Sequence, residues 1–294
     1  EVLEGMRSEY IENRPELVFV QGDTTTAFAA SLAAFYEKIP VAHVEAGLRT
    51  GKLLDPYPEE ANRRLISQIA TLHFAPTEMA RDNLACSGIM ENVFVTGNTI
   101  IDALKMVSEK VNPFEMEGVD LNNKKLILAT VHRRENWGSN LNNIAFALKK
   151  IVETDSSSLL LIPLHKNPKV RNPLKKILEG HKRIILTDPL EYHKLISVMK
   201  ACEFIITDSG GLQEEAPAFG KPVLIIRNNT ERLEAVKAGC SKLIGIDKNK
   251  IFKESMTLLN DPEKYCQMSK VKNPFGSGDS SKKIFEQTMK FLEF

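Results

Sequence analysis

Ten short runs rich in Val, Ile and Leu punctuate the chain: ELVFVQGD, PVAHVEAG, TLHFAPT and NVFVTGN, then KLILATVH, SLLLIPLH, RIILTDP, EFIITDSG, PVLIIRN and SKLIGID. Most are apolar at successive positions, as a strand buried on both faces requires. Each is followed by a longer amphipathic stretch, and strands alternating with helices in this way predict parallel α/β sheets covered on both sides. Between the fourth and fifth runs, VNPFEMEGVDLNNKK (residues 111–125) carries Pro, Gly and paired Asn and reads as an interdomain linker. The expected organisation is therefore an N-terminal domain over 1–111 and a second domain over 112–275. A further break, KNPFGSGDSS (272–281), precedes KKIFEQTMKFLEF, which offers Ile284, Phe285, Met289, Phe291 and Leu292 for burial. Residues 276–294 are accordingly assigned to a C-terminal amphipathic helix that can cap either domain and is expected to pack back on the first. The opening, EVLEGMRSEYIENRPELVF, lacks an initiator Met and starts inside a helical pattern, so a preceding segment is expected.

Composition narrows the function classes. With 294 residues, 43% hydrophobic and 26% charged, the chain can bury the cores of two ordinary domains. Its 39 Lys and Arg against 38 Asp and Glu leave a net charge of +1, so no overall field favours nucleic acid or an anionic membrane as partner. Cys86, Cys202, Cys240 and Cys266 are far apart with no CxxC pair, which argues against a structural metal and fits free thiols in a reducing cytosol. No apolar run reaches the ~18 residues of a membrane span and no signal-peptide pattern opens the chain. A soluble, cytoplasmic protein is expected.

In open α/β sheets ligands sit beyond the carboxyl ends of the strands, so the tails of the runs are where chemistry is sought. They supply Asp23, Glu45, His132, His165, and Asp208 with Ser209. Any one of them is explained equally well by a strand ending in something polar; together, at the edges of two sheets, they point to a ligand. TDSGGLQEEAPAF is the most informative segment. Ser209 begins a turn, Gly210 and Gly211 admit close backbone approach, and the helix that follows offers free N–H groups to a diphosphate. Glu214 and Glu215 follow, and one of them is placed to take ribose hydroxyls, so a nucleotide is expected rather than bare phosphate. In HRREN, His132 is a candidate general acid or diphosphate ligand with Arg133 and Arg134 beside it. RNNTER adds Arg227, Thr230, Glu231 and Arg232 at the same edge, for which a surface salt-bridge cluster is the plainer reading. Neither GxGxxG after a strand nor GxxxxGK[ST] occurs, which disfavours a dinucleotide redox cofactor and a P-loop. Glu45 and Glu59 in HVEAGLRTGKLLDPYPEEANRRL, with Asp23 in QGDTTT, are candidates for the acid/base pair that proton removal from carbon requires. The plainer reading there is a helix N-terminus in which Glu59 and Glu60 pair with Arg63 and Arg64.

The segments QGDTTTAFAASLAAFYEKIPVAHVEAGLRTG, PEEANRRLI, FAPTEMARDNL, VTGNTIIDAL, HRREN and DSGGLQEEAPAFGKPVLIIRNNTER, in this order through nearly the whole chain, resemble the non-hydrolysing UDP-N-acetylglucosamine 2-epimerases. The resemblance implies a GT-B architecture of two facing Rossmann-like domains. It also implies interconversion of UDP-N-acetylglucosamine and UDP-N-acetylmannosamine without NAD or metal, by anti-elimination of UDP to 2-acetamidoglucal and re-addition. On this likeness Asp23, Glu45 and Glu59 are catalytic acid/base candidates, with the base unassigned, and His132 assists UDP departure. Ser209, Gly210 and Gly211 hold phosphate, Glu215 the ribose, and Arg227 lies near the diphosphate. Arg133 and His165 match positions linked with activation by a second UDP-N-acetylglucosamine. A homodimer and a supply of activated sugar for surface polysaccharide also follow from the likeness. The family's first strand and its Gly-Thr-Arg-Pro-Glu-like loop have no counterpart, and about seventy residues of the usual domain are not matched. Asn228, Asn229 and Leu233 stand where the family more often has a Thr-rich run and Pro. A GT-B glycosyltransferase and the hydrolysing relative share the nucleotide half, and the carboxylate set favours the epimerase over both; a non-catalytic sugar-nucleotide binder, which would bind UDP and turn nothing over, is the remaining alternative.

Overall fold

The computed structural model describes residues 1–116, 121 and 123–293, so part of the expected linker at 111–125 lies outside the described residues. The chain divides into two compact units, one of Glu1–Asp102 with Phe275–Phe294 and one of Ala103–Pro274. All ten apolar runs form strands, and both sheets are parallel. The α/β class expected from the pattern is the class observed.

In the first unit, α1 (Val2–Glu12), β1 (Val18–Gln21), α2 (Thr25–Tyr36), β2 (Val41–Val44), α3 (Glu59–Ile69), β3 (Leu72–Ala75), α4 (Glu78–Ala85), β4 (Val93–Val95) and the start of α5 (Thr99–Ser108) follow one another. The strands lie in the order β1-β2-β3-β4, so each pairs with its neighbour in sequence. The inner strands β2 and β3 are buried at every residue, whereas β1 alternates, with Val18 and Val20 inward and Phe19 and Gln21 outward. That alternation fits a strand with a partner on one side only among the described residues. Histidines face each other in the middle of this apolar sheet, His43 in register with His73.

The second unit runs β5 (Lys125–Thr130), α6 (Ser139–Thr154), β6 (Ser158–Pro163), α7 (Pro168–Leu178), β7 (Ile184–Thr187), α8 (Tyr192–Ala201) and β8 (Phe204–Thr207). It continues through α9 (Gly210–Glu215), β9 (Val223–Ile225), α10 (Leu233–Ala238), β10 (Ser241–Leu243), α11 (Lys248–Asn260) and α12 (Pro262–Ser269). Its sheet order is β10-β9-β8-β5-β6-β7. The chain builds outward from β5 to β7, then returns to β8 and builds the other way, so the sheet has a topological switch point between β5 and β8. Helices cover both faces, one core layer including Ile127, Leu148, Phe204 and Ile206, the other Leu128, Leu161, Met199 and Ile205.

The division falls inside α5, ahead of the Pro- and Asn-rich segment, because Leu104 packs with Leu128 and Leu161 in the second unit's core. The last helix, α13 (Ser280–Phe291), belongs to the first unit. Its Ile284 and Phe291 pack with Ala42, Leu72 and Phe74 of β2 and β3. Its first N–H groups, on Ser280 and Ser281, donate to the Asp102 carboxylate at 3.1 and 2.8 Å, a cap supplied from another part of the chain. Among the described residues no helix is long and apolar enough to cross a membrane.

Candidate active site

At the carboxyl edge of the first sheet the chain leaves β1 through Gly22, whose φ of +72° belongs to the left-handed region where glycine is at no disadvantage. Asp23 follows, and its carboxylate pairs with Arg63 of α3. Arg63 is only 1% exposed. Its Nε also meets Glu60 Oε2 at 3.3 Å, while Nη2 has no hydrogen-bond partner among the described residues. Asn62 fixes the same turn by donating Nδ2 to the Asp23 carbonyl at 2.9 Å. The inward face of α3 is thus polar at its start, with Glu60, Asn62 and Arg63 all buried before Ile66.

The two glutamates that open α3 divide the work. Glu60 accepts from Arg64 Nε at 3.0 Å, from Arg63 and from the Thr50 backbone N–H at 3.0 Å, so it is wholly engaged in structure. Glu59 pairs with neither arginine; its Oε2 is buried without a hydrogen-bond partner among the described residues. The helix-terminus reading therefore holds for Glu60 and leaves Glu59 over.

Glu45, directly after β2, has φ of +66°. For a residue with a side chain that costs of the order of 1–2 kcal/mol, and it persists where surrounding bonds dictate the turn. Here Gly22 N–H donates to the Val44 carbonyl at 3.0 Å and Ala46 N–H to the Phe74 carbonyl at 3.1 Å, pinning the residues on both sides. Gln21 Nε2 donates to Glu45 Oε1 at 3.0 Å. Beneath the turn, His43 Nε2 lies 2.9 Å from the Gly22 carbonyl. A carbonyl only accepts, so Nε2 carries the proton, and burial pulls the pKa of His43 down to about 4, helped by the nearby positive groups. His73 is lowered to about 4 for the same first reason. Both rings are therefore neutral near pH 7.

In the second unit the candidate residues gather at the switch point. Asp208, at the end of β8, is fully buried and accepts from the backbone N–H of His132 at 3.0 Å, the N–H of Arg133 at 2.9 Å and Asn136 Nδ2 at 2.9 Å. It also lies 3.5 Å from His132 Nε2. This one carboxylate ties the HRREN loop after β5 to the end of β8. Burial lowers the pKa of His132, with Asp208 opposing the shift. His165, after β6, stacks on His132 with ring centroids 6.3 Å apart.

Ser209 is the N-cap residue of α9, and its hydroxyl makes no capping bond. A Cβ at Gly210 would stand 3.1 Å from Arg232 Cζ, a contact tight enough that the arginine would have to give by a few tenths of an ångström, whereas one at Gly211 would meet open space. Glu215 accepts from the Tyr192 hydroxyl at 3.2 Å, and burial raises its pKa to about 7 against that bond. Arg227 is held between Glu135 Oε1 at 2.7 Å and Glu231 Oε2 at 3.0 Å. Burial opposes the charge on Glu231, but Arg232 and Arg227 prevail and hold its pKa down to about 2. Arg133 Nη2 approaches the same carboxylate at 3.6 Å. What reads in sequence as a surface salt-bridge cluster is a buried one, because ions removed from water must be paired.

A family model described as UDP-N-acetylglucosamine 2-epimerase matches residues 1–289. The chain belongs to that family. It is 46% identical to the UDP-N-acetylglucosamine 2-epimerase of Escherichia coli K12 over 294 residues, covering 97% of this chain and 78% of the relative. The Campylobacter jejuni epimerase is 45% identical over 301 residues, covering 98% of this chain and 79% of its own. Among solved structures, the Neisseria meningitidis epimerase bound to UDP-GlcNAc superposes with a TM-score of 0.94 at 44% identity, covering 98% of this chain and 80% of that one. The Staphylococcus aureus MnaA–UDP structure gives 0.95 at 42%, covering 99% and 80%.

Within the epimerase fold, Asp23, Glu45 and Glu59 belong to one sheet edge. His132, Arg133, His165, Ser209, Gly210, Gly211, Glu215 and Arg227 belong to the second unit, most of them around its switch point. Sequence reasoning did not single out Gln21, His43, Asn62 or Asn136, and it named Arg63 and Asp208 without the contacts they make to Asp23 and to the HRREN loop. A partial signal exists, since Asn and Arg at the apolar spacing of a helix, as in EEANRRLI, mark polar groups that are carried inward.

Proposed function

We propose that the protein is a UDP-N-acetylglucosamine 2-epimerase that acts by elimination and re-addition of UDP. The proton at C2 of the sugar is weakly acidic, so a free carbanion is costly; breaking the C1–O bond as the C2–H bond breaks lets the electron pair form the C1–C2 double bond instead. UDP leaves, 2-acetamidoglucal remains, and return of a proton to the opposite face of C2 with re-addition of UDP gives the N-acetylmannosamine epimer. The steps are microscopically reversible, so the enzyme works in both directions.

The observation that carries this reading is the carboxylate trio Asp23, Glu45 and Glu59 at one sheet edge in a chain of this family. Asp23 is tied to Arg63, whereas Glu45 keeps Oε2, and Glu59 keeps a buried Oε2, without a hydrogen bond among the described residues. The latter two are the better proton carriers. In the second unit, His132 with the Ser209 hydroxyl and the N–H groups of Gly210 and Gly211 stabilises the departing diphosphate, the kind of preorganised donor set that accelerates departure of an anion. Glu215 accepts from the ribose hydroxyls, and Arg227 adds positive potential from behind the loop.

Incubation with UDP-N-acetylglucosamine in deuterated water, followed by proton NMR, tests the proposal. A UDP-N-acetylmannosamine anomeric signal with deuterium entering at C2 is the expected result. Free N-acetylmannosamine with UDP would assign the hydrolysing reaction instead, and UDP binding without turnover would leave a binding protein.

A further inference from the structure

One oxygen of Glu45 is held by a side chain from the neighbouring strand. Gln21 ends β1 in register with Val44, the last residue of β2, so its outward side chain stands beside the turn that carries Glu45. Its Nε2 donates one hydrogen to Glu45 Oε1 at 3.0 Å and lies 3.5 Å from Thr99 Oγ1 at the start of α5. A side-chain amide has two hydrogens on that nitrogen. With a carboxylate oxygen and a hydroxyl both placed to accept them, the amide is anchored from two elements, and its carbonyl end is turned away from Glu45. Gly22 passes close to the other oxygen without crowding it: a Cβ at that position would meet Oε2 at 3.6 Å, an ordinary van der Waals contact.

From this geometry we infer that Gln21 is a positioning residue for the epimerisation, holding Glu45 Oε1 so that Oε2 alone is presented for proton transfer. The inference rests on the catalytic role proposed for Glu45. Gln21 itself moves no proton, since an amide neither gains nor loses one near neutral pH. It acts by narrowing the rotation of a carboxylate whose backbone is already fixed at φ of +66°. Misplacing a proton acceptor by about 1 Å is enough to cost up to about 100-fold in rate.

The test is Gln21→Met, which keeps length and removes the donor, in the wild-type and Glu45→Asp backgrounds. In the wild-type background kcat should fall about 10- to 100-fold with KM changed less than about twofold. In the Glu45→Asp background, where the shorter carboxylate no longer reaches Nε2, the same replacement should cost less than about twofold. A Gln21→Met enzyme with wild-type kcat, or an equal loss in both backgrounds, would overturn the inference. A second measurement needs no turnover. The side-chain amide protons of Gln21 should resonate further downfield in the wild type than in Glu45→Gln, because a bond to a carboxylate is stronger than one to an amide. Identical shifts would remove the contact and the inference with it, whereas a shift in a protein that epimerises nothing would leave the contact standing and sink the proposed reaction.

Discussion

The two sheet edges solve opposite electrostatic problems. Around the switch point of the second unit, charges are buried in mutually compensating sets: Arg227 with Glu135 and Glu231, Arg232 with Glu214 and Glu231, Asp208 with the HRREN backbone. At the edge of the first unit, Glu60 and Arg63 are compensated in the same way, but Glu45 and Glu59 keep an oxygen apiece without a partner among the described residues. A fully paired set makes a rigid bed for a ligand that brings its own charge. An incompletely paired carboxylate is what proton exchange with carbon needs. The difference lies in the carboxylates: Asp208 and Glu231 are engaged by the groups around them, whereas Glu45 and Glu59 each keep an oxygen over.

The sharpest way to break this contrast is to remove a reactive oxygen's charge while leaving its holders in place. Glu45→Gln should lower kcat by about 10²- to 10⁴-fold, the usual worth of a positioned acid or base. UDP affinity, measured by calorimetry, should stay within about twofold, because the proposed nucleotide contacts belong to the second unit. Loss of both to the same extent would mean that Glu45 is structural. The next effect is on stability. Arg63→Met strips the buried partner from Asp23 and one of two arginines from Glu60, which keeps Arg64, so the loss should be about 1–3 kcal/mol, the cost of a buried polar group left short of its partner. Urea unfolding should show that loss, whereas the exposed pair of Arg81 with Glu78 should be worth less than about 1 kcal/mol on the same scale. Equal small losses at the two sites would show that the Asp23–Arg63–Glu60 set is not the brace it is taken for.

Strand existence was legible because parallel strands buried on both faces write themselves as apolar runs, as β2, β3, β8 and β9 do. The position of Asp23, Glu45, His132, His165 and Asp208 at strand ends was legible for the same reason, since each follows such a run. The unit boundary was less so: Leu104 joins the second core from within α5, ahead of the Pro and Gly that punctuate the chain after it. Partner choice was not legible either. Glu59 and Glu60 are adjacent and identical, and only the helix phase sends one into the Arg63–Arg64 network and leaves the other over. Nor does spacing reveal that Asp208 reaches back to His132, Arg133 and Asn136, because that contact depends on β5 and β8 becoming neighbours across the reversal in strand order.

Glu215 sharpens the contrast most finely, because it is the one group proposed to hold the nucleotide whose charge is not secured. Burial raises its pKa to about 7, and the Tyr192 hydroxyl is its hydrogen-bond partner. A carboxyl raised in the folded state contributes stability that is complete below its ordinary value of 4.5 and is lost as pH climbs through about 7. The free protein should therefore lose about 1–3 kcal/mol between those limits on this account, a slope that Glu215→Gln should flatten. Ribose hydroxyls donate, and they bind a carboxylate better than a carboxylic acid, so UDP affinity should move the other way and rise with pH through about 7. Calorimetry in buffers of different ionisation enthalpy should then register proton release on binding at pH 6 and almost none at pH 8.5. Should affinity and proton release be flat across that range in the wild type, Glu215 does not hold the ribose as a carboxylate, and the nucleotide half of the comparison would rest on His132 and the Ser209–Gly211 turn alone.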